Sequence, residues 1–197
     1  MRISGAFVFV AIVAAGLSSG TALAAEDLAN VRNLEQVIQR LDNAGVSLAQ
    51  ALRSVEREGG TPIRANFFVN DEGNLGLSVY ATDRGAGDNV ETAVLREYRG
   101  GIDGGNWNPD NDRIQDRPNA VMRAVEHQTL MQLTQHSLRD IVARAAEDGT
   151  VPWIQPRVID GRAVFEVGLD DRGRANTRYY DLVDGDRLDL NGNRIRF

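Results

Sequence analysis

His127 and His136 are the only imidazoles in the chain, and there is no cysteine. Two histidines that hold a metal from one helix stand three or four residues apart, so that both rings leave one face. These stand nine apart, which predicts two partly exposed histidines on helix surfaces and no metal pair. Ser137, His127 and one of many aspartates could be written as a nucleophilic triad, but no nucleophile-elbow sequence surrounds the serine. Ser137 reads instead as a helix cap. Without cysteine there are no disulfides, thiolate nucleophiles or cysteine-based zinc or iron–sulfur sites. No catalytic residue is assigned.

Oxygen ligands for calcium are the next possibility. Asn106, Asn108, Asp110 and Asp112 form one alternating run, and Asp184, Asp186, Asp189, Asn191 and Asn193 form another. The first lacks the glycine an EF-hand needs at its sixth position, and both lack the bidentate glutamate at the twelfth. Asn and Asp are ordinary turn residues, so solvated turns are expected, with no metal and no cofactor. Four residues are candidates for binding: Trp107, Arg178, Tyr179 and Tyr180. Trp107 stands in a polar segment, where it either covers an interface or is presented to a partner. Tyr179 and Tyr180 alternate along a strand, so one faces inward and the other outward beside Arg178. An exposed Tyr–Arg pair suits peptide contact. Trp153, between Pro152 and Pro156, is expected in the core.

The elements that carry these residues occur twice. Ser47-Leu48 and Ser137-Leu138 lie 90 positions apart, and each heads a helical pattern. Leu48, Ala51, Leu52 and Val55 recur at helical spacing in the first; Leu138, Ile141, Val142 and Ala145 do so in the second. Gly59 and Gly149 are expected to end these helices, ahead of Pro62 and Pro152. Strands follow at Ile63–Val69 and Trp153–Ile159, with turns at Asn70–Asn74 and Asp160-Gly161. The second strands alternate, with Leu75, Leu77 and Val79 in one and Ala163, Phe165, Val167 and Leu169 in the other. They run into Asp83-Arg84-Gly85 and Asp171-Arg172-Gly173, and third strands are expected at Glu91–Tyr98 and Ala175–Val183. Earlier helices carry Val31, Leu34, Val37, Ile38 and Leu41, and Val121, Ala124, Val125 and Met131. Asn191-Gly192 is a hairpin signal near the end. The expected class is α+β: two tandem copies of a module whose helices pack on a small antiparallel sheet. The boundaries are 25–99 for the first module and 118–197 for the second. Residues 100–117, rich in Gly, Asn and Asp, are expected to sustain neither a helix nor a central strand and to be a linker.

Residues 1–24 have the three parts of a secretory signal. Arg2 is followed by the apolar run Ala6–Ala15 and by Thr21-Ala22-Leu23-Ala24, with cleavage expected after Ala24. The apolar run is shorter than the roughly 20 residues that span a bilayer, so no stable membrane span is expected after cleavage. Every basic residue other than histidine is arginine, and the net charge is -6. Arginines scattered among acids argue against nucleic acid and against an anionic membrane as partner.

The capped helix with its tail Val55–Gly59, the turn leading into Ala163–Val167, and the closing stretch Tyr179–Leu188 together resemble PepSY domains, once per copy. The first copy departs at Leu95–Gly100, which lacks the acidic residue before the closing glycine. The resemblance implies an exported accessory module without shared catalytic residues. Modules of this kind hold, inhibit or localise a secreted peptidase or other envelope protein. The expected function is therefore a non-catalytic binding or regulatory protein of the periplasm. The alternative is a carrier of a small ligand between the modules, with Trp107 lining the site.

Overall fold

The computed structural model describes residues 34–83, 93–114 and 118–189. The signal segment, Arg84-Gly85 and the Asn191-Gly192 turn lie outside the described residues. A first helix, α1, covers 34–41 and buries Val37, Ile38 and Leu41. The second, α2 (Leu48–Arg57), is fixed at its start by a capping box. Ser47 Oγ accepts from Gln50 N at 3.2 Å, and Gln50 Oε1 accepts from Ser47 N at 2.7 Å. This satisfies two of the backbone groups that a helix start leaves without partners. Gly59 follows α2 with φ of +85°, the left-handed conformation that glycine adopts most easily.

The strands β1 (Thr61–Val69), β2 (Leu75–Thr82) and β3 (Leu95–Asp103) form an antiparallel meander. The expected third strand therefore begins later and runs further. The segment expected to be a linker is mostly strand, at 100–103, 106–107 and 110–113. Gly100 and Gly101 continue β3 opposite Leu77 and Gly76, and β4 (Asn106–Trp107) and β5 (Asp110–Arg113) fold back on its outer edge. Glycine makes this possible: a Cβ at Gly100 would meet the Asn108 carbonyl oxygen at 2.7 Å. Turn-rich composition thus marks close backbone approach as well as loops.

The chain then forms α3 (Pro118–Met131) and α4 (Leu138–Ala145). Ser137 and Asp140 reproduce the capping box of α2, with Ser137 Oγ accepting from Asp140 N at 3.2 Å and Asp140 Oδ2 accepting from Ser137 N at 3.1 Å. Burial works against the Asp140 charge. The bonds from the Ser137 hydroxyl and backbone, with Arg139 and His136 nearby, outweigh it and hold this carboxyl below its ordinary value. Strands β6 (Trp153–Ile159), β7 (Arg162–Asp171), β8 (Arg174–Asp181) and β9 (Arg187–Leu188) complete the chain.

Among the described residues, nine strands form one antiparallel sheet in the order β4-β3-β2-β1-β6-β7-β8-β9, with β5 also on β3. The sheet is larger than the small one expected, because β1 pairs with β6. Ala65 lies opposite Ile154 and Asn66 opposite Trp153, and Phe67 N donates to Pro152 O at 2.9 Å. Helices α2 and α4 pack on each other and across this seam. Leu52, Val55, Ile63, Ala65, Leu77, Val79, Ile141, Ala145, Ile154, Phe165 and Val167 are at most 1% exposed and belong to one continuous core. The Arg139–Glu56 ion pair bridging the two helices, at 3.0 Å, is partly exposed and is worth about 0–1 kcal/mol. Each buried aliphatic side chain contributes about 1.5–3 kcal/mol, so apolar burial decides how α2 meets α4.

Helix α4 ends at Ala145, before the expected stop. Gly149 serves a different purpose: a Cβ there would run into the carbonyl oxygen of Asp170, the residue that bonds Thr150 in both directions at 3.2 and 2.8 Å. Gly149→Ala is expected to lower stability by about 1–3 kcal/mol, read as a reduced urea midpoint without a change in slope.

Candidate functional site

Strand alternation divides the sheet into two faces. One carries the core beneath α2 and α4. The other can be followed strand by strand from the register. Arg99 of β3 lies opposite Ser78 of β2, Ser78 opposite Asn66 of β1, and Asn66 opposite Trp153 of β6. One step along, Glu97 lies opposite Tyr80 and Tyr80 opposite Arg64; in the other half, Gln155 lies opposite Glu166 and Glu166 opposite Tyr179. This face is a belt of arginine, aromatic, amide and carboxylate groups.

Each half of the belt holds a carboxylate beneath an arginine. The Glu97 side chain is 3% exposed, and its Oε1 accepts from Ser78 Oγ at 2.8 Å and from Arg99 Nη1 at 3.3 Å; the Arg99 side chain is 52% exposed. The Glu166 side chain is 10% exposed, and its Oε2 accepts from Gln155 Nε2 at 2.9 Å and from Arg157 Nη1 at 3.4 Å; the Arg157 side chain is 38% exposed. A buried carboxylate without such partners would cost several kcal/mol. The Arg99 guanidinium stands 3.9 Å from the Phe68 ring centroid, and Arg64 stands 5.8 Å from that of Tyr80. The Phe68 ring covers Gly76, and the Trp153 indole covers Gly168. Both glycines leave room that a side chain would fill.

The binding residues expected from sequence fall in different places. Tyr180 faces inward and is buried, and burial raises its hydroxyl above the usual value. Tyr179 faces the belt, half-buried, and its hydroxyl is raised by burial and by the neighbouring Glu166 charge, against the opposing influence of Arg157. Arg178 shares the face of Tyr180, not that of Tyr179, because residues two apart on a strand point the same way. The arginine beside Tyr179 is Arg157. Trp107 packs half-buried on the core from β4, and its indole N–H donates to Leu77 O at 3.2 Å. It therefore lies within the first half and not at the boundary between the halves. Trp153, expected in the core, is half-buried on the belt. Sequence reasoning missed Phe68, Glu97, Arg99, Arg157 and Glu166. Apart from Phe68, their only sequence signal was polar residues at alternate strand positions.

A second feature is an open cleft of about 780 Å³ where the two halves meet at one end of the strands. Leu48, Phe67, Val142 and Val151 provide its apolar walls, and Asp42, Thr150, Asp170 and Arg172 its polar rim. Trp107 is not among its lining residues. A smaller recess of about 320 Å³ holds His136 with Glu56, Met131 and Ser137. The Asp110 and Asp112 carboxylates lie on exposed β5. In the turn after β8, Asp181 Oδ1 accepts from Val183 N at 3.0 Å and from Asp184 N at 3.3 Å. Asn191 and Asn193 lie outside the described residues.

No protein-family model matches the chain. No curated protein matches it. Among solved structures it is similar to a protein from Clostridium difficile 630 whose crystal structure is described as that of a "putative lipoprotein". The two share 12% identity at a TM-score of 0.35, over 73% of this chain and 91% of that one. A likeness at this level carries over neither fold nor function. Among the described residues, no helix is long and apolar enough to cross a membrane.

Each histidine meets the expectation in part: His136 is partly exposed but not on a helix, and His127 is on a helix but buried. His136 lies in the connection between α3 and α4, while His127 on α3 is 6% exposed. Helix α3 turns Ala120, Ala124, His127, Gln128 and Met131 inward, leaving Val121 and Val125 only half-buried. Of the expected stripe, Ala124 and Met131 are buried, while Val121 and Val125 lie at its edge. Burial, with the Arg64 and Arg123 charges, pulls the His127 imidazole down to about 3. The adjoining Gln128 amide is fully buried with neither end bonded.

Because His127 is harder to protonate when folded, the unfolded chain takes up the proton first as pH falls. Its contribution to stability is intact above about pH 6.5 and is lost progressively below that. From pH 7 to pH 5 the loss is about 2 kcal/mol. His127→Leu should remove this part of the pH dependence, as measured by urea titrations at both pH values.

Proposed function

We propose that the chain is a non-catalytic binding or regulatory protein of the periplasm. In this reading it is made of two PepSY-like modules and contacts an exported protein, such as a peptidase. The single observation that carries the reading is the belt. It places half-exposed arginine and aromatic groups on one broad sheet face and fixes them from beneath with hydrogen-bonded carboxylates. Arginine and large aromatics are the residues that dominate the energetics of protein interfaces.

The tandem arrangement is supported by matching parts. Each half has a serine-headed capping box, a helix buried along one stripe and three antiparallel strands. Each also has an aromatic ring over a strand glycine and a buried glutamate bonded to an arginine. The residues that might have done acid–base chemistry have structural roles: Ser137 caps α4, and His127 is buried and neutral at physiological pH. The cleft at the seam favours a second reading, a carrier of a small ligand held between the modules. Its size is within the range of small-molecule sites.

In-cell crosslinking of the tagged chain from Ala25 to Phe197, with mass spectrometry of what co-purifies, separates the two. The binding reading expects one dominant exported protein. A clean monomer without a partner contradicts it and moves the search to the cleft.

A further inference from the structure

We infer that Trp153 is the floor of a binding site for a neutral glycan, on which an uncharged pyranose ring stacks flat. The inference goes beyond the protein-binding reading and uses one part of the belt, the corner formed by β6, β7 and β8.

The floor is set by Gly168. A Cβ built on this glycine would press on Trp153 Nε1, with Cδ1 at 2.5 Å and Cε2 at 2.7 Å on either side. Both flanking atoms come this near only when the approach is to the face of the ring. An approach within the ring plane would hold them markedly farther away. The indole therefore lies flat on the sheet, with one face on the Gly168 backbone and the other turned outward. The matching ring of the first half, Phe68, already carries the Arg99 guanidinium 3.9 Å from its centroid. Among the described residues, no cation and no second ring stands against Trp153, and its indole N–H has no hydrogen-bond partner.

Neutral polar groups flank this ring on the same face. Thr177 lies opposite Gly168, Tyr179 lies opposite Glu166, and Gln155 is two residues along β6 from Trp153. Among the described residues, the Thr177 and Tyr179 hydroxyls and the Gln155 side-chain oxygen have no partner; only Gln155 Nε2 is spent, on Glu166. Unlike the sealed Gln128 amide, these atoms reach solvent. The charges beside them are already satisfied, because Glu166 and Arg157 bond each other at 3.4 Å.

A ligand that fits must offer a flat apolar face to an aromatic ring, hydrogen-bonding groups around its rim, and no net charge. A pyranose with equatorial hydroxyls does all three. Its axial C–H bonds point at the ring face, whose negative quadrupole attracts them, while its hydroxyls spread sideways toward Thr177, Tyr179 and Gln155. An aromatic side chain from a partner protein would cover the indole and strip these polar atoms of water without replacing it, which is costly. A polyanion finds no unpaired cation in this corner. Thr177 and Tyr179 stand two strands from Trp153, about 10 Å away. That is wider than one pyranose, so two linked sugars fit.

The test titrates the full mature chain with cellotetraose, which is neutral, β-linked and equatorial throughout. Tetragalacturonate and a tetrapeptide with a central phenylalanine serve as comparisons. The readout is the pair of indole N–H signals in a nitrogen-15 correlation spectrum, assigned by Trp153→Phe. Saturable binding of cellotetraose alone is expected, moving the Trp153 signal and leaving that of Trp107, whose N–H is held by Leu77 O.

Trp153→Ala should weaken binding about tenfold or more, while Trp153→Phe, which restores a flat ring, should recover part of it. Because Trp153 also stands at the β1–β6 seam, Thr177→Ala and Tyr179→Phe provide variants that leave the seam intact. Each should weaken binding about two- to tenfold with an unchanged circular dichroism spectrum. No saturable shift of the Trp153 signal, equal binding of the peptide or of tetragalacturonate, or undiminished binding by Trp153→Ala or by the Thr177→Ala/Tyr179→Phe double variant would overturn the inference.

Discussion

The seam between β1 and β6 is the constraint on which the other features depend. It is short: the two strands pair through Ala65 with Ile154 and Asn66 with Trp153, with one further bond from Phe67 to Pro152. A slip of one residue there would turn every side chain of one half to the opposite face. Ile154, Phe165 and Val167 would leave the core, and Trp153 and Glu166 would enter it. The register is held because α2 and α4 pack together above the seam and bury the same face in both halves. Continuity of the core, more than the number of bonds between β1 and β6, makes nine strands one sheet.

That continuity also sets the character of the other face. With apolar residues committed beneath α2 and α4, the alternate positions are free to be polar or aromatic. Two of them are glutamates that would be costly to bury alone. Ser78, Arg99, Gln155 and Arg157 provide the hydrogen bonds that make their burial tolerable. His127 takes the other route open to a buried ionisable group, which is to lose its charge. The molecule therefore satisfies its polar groups by pairing on the sheet and by neutralisation under α3.

The sequence made some of this legible and concealed the rest for physical reasons. The helices headed by Ser47 and Ser137 were readable because a capping residue and a 3.6-residue stripe are local signals. The alternation in β2 and β7 was readable for the same reason, and so was the Asp160-Gly161 turn, where both residues have positive φ. Residues 100–113 misled because glycine and Asn–Asp content signals a loop, yet here it permits β4 and β5 to lie close against β3. On α3 the burial of Ala124 and Met131 was readable, but that of His127 and Gln128 was hidden because polar side chains give no apolar signal, whereas Val121 and Val125 do. The belt depends on strand order, and no local pattern reveals that β3, β2, β1, β6, β7 and β8 lie side by side.

Hydrogen exchange followed by mass spectrometry or NMR tests the central claim, that the halves share one core and open together. Amides at the seam, above all Phe67 N–H, should exchange only through global unfolding, with the same opening free energy as Leu77 in the first half and Phe165 in the second. Two separate opening energies, one for each half, with the seam following the weaker, would contradict it and leave the sheet as two units in loose contact.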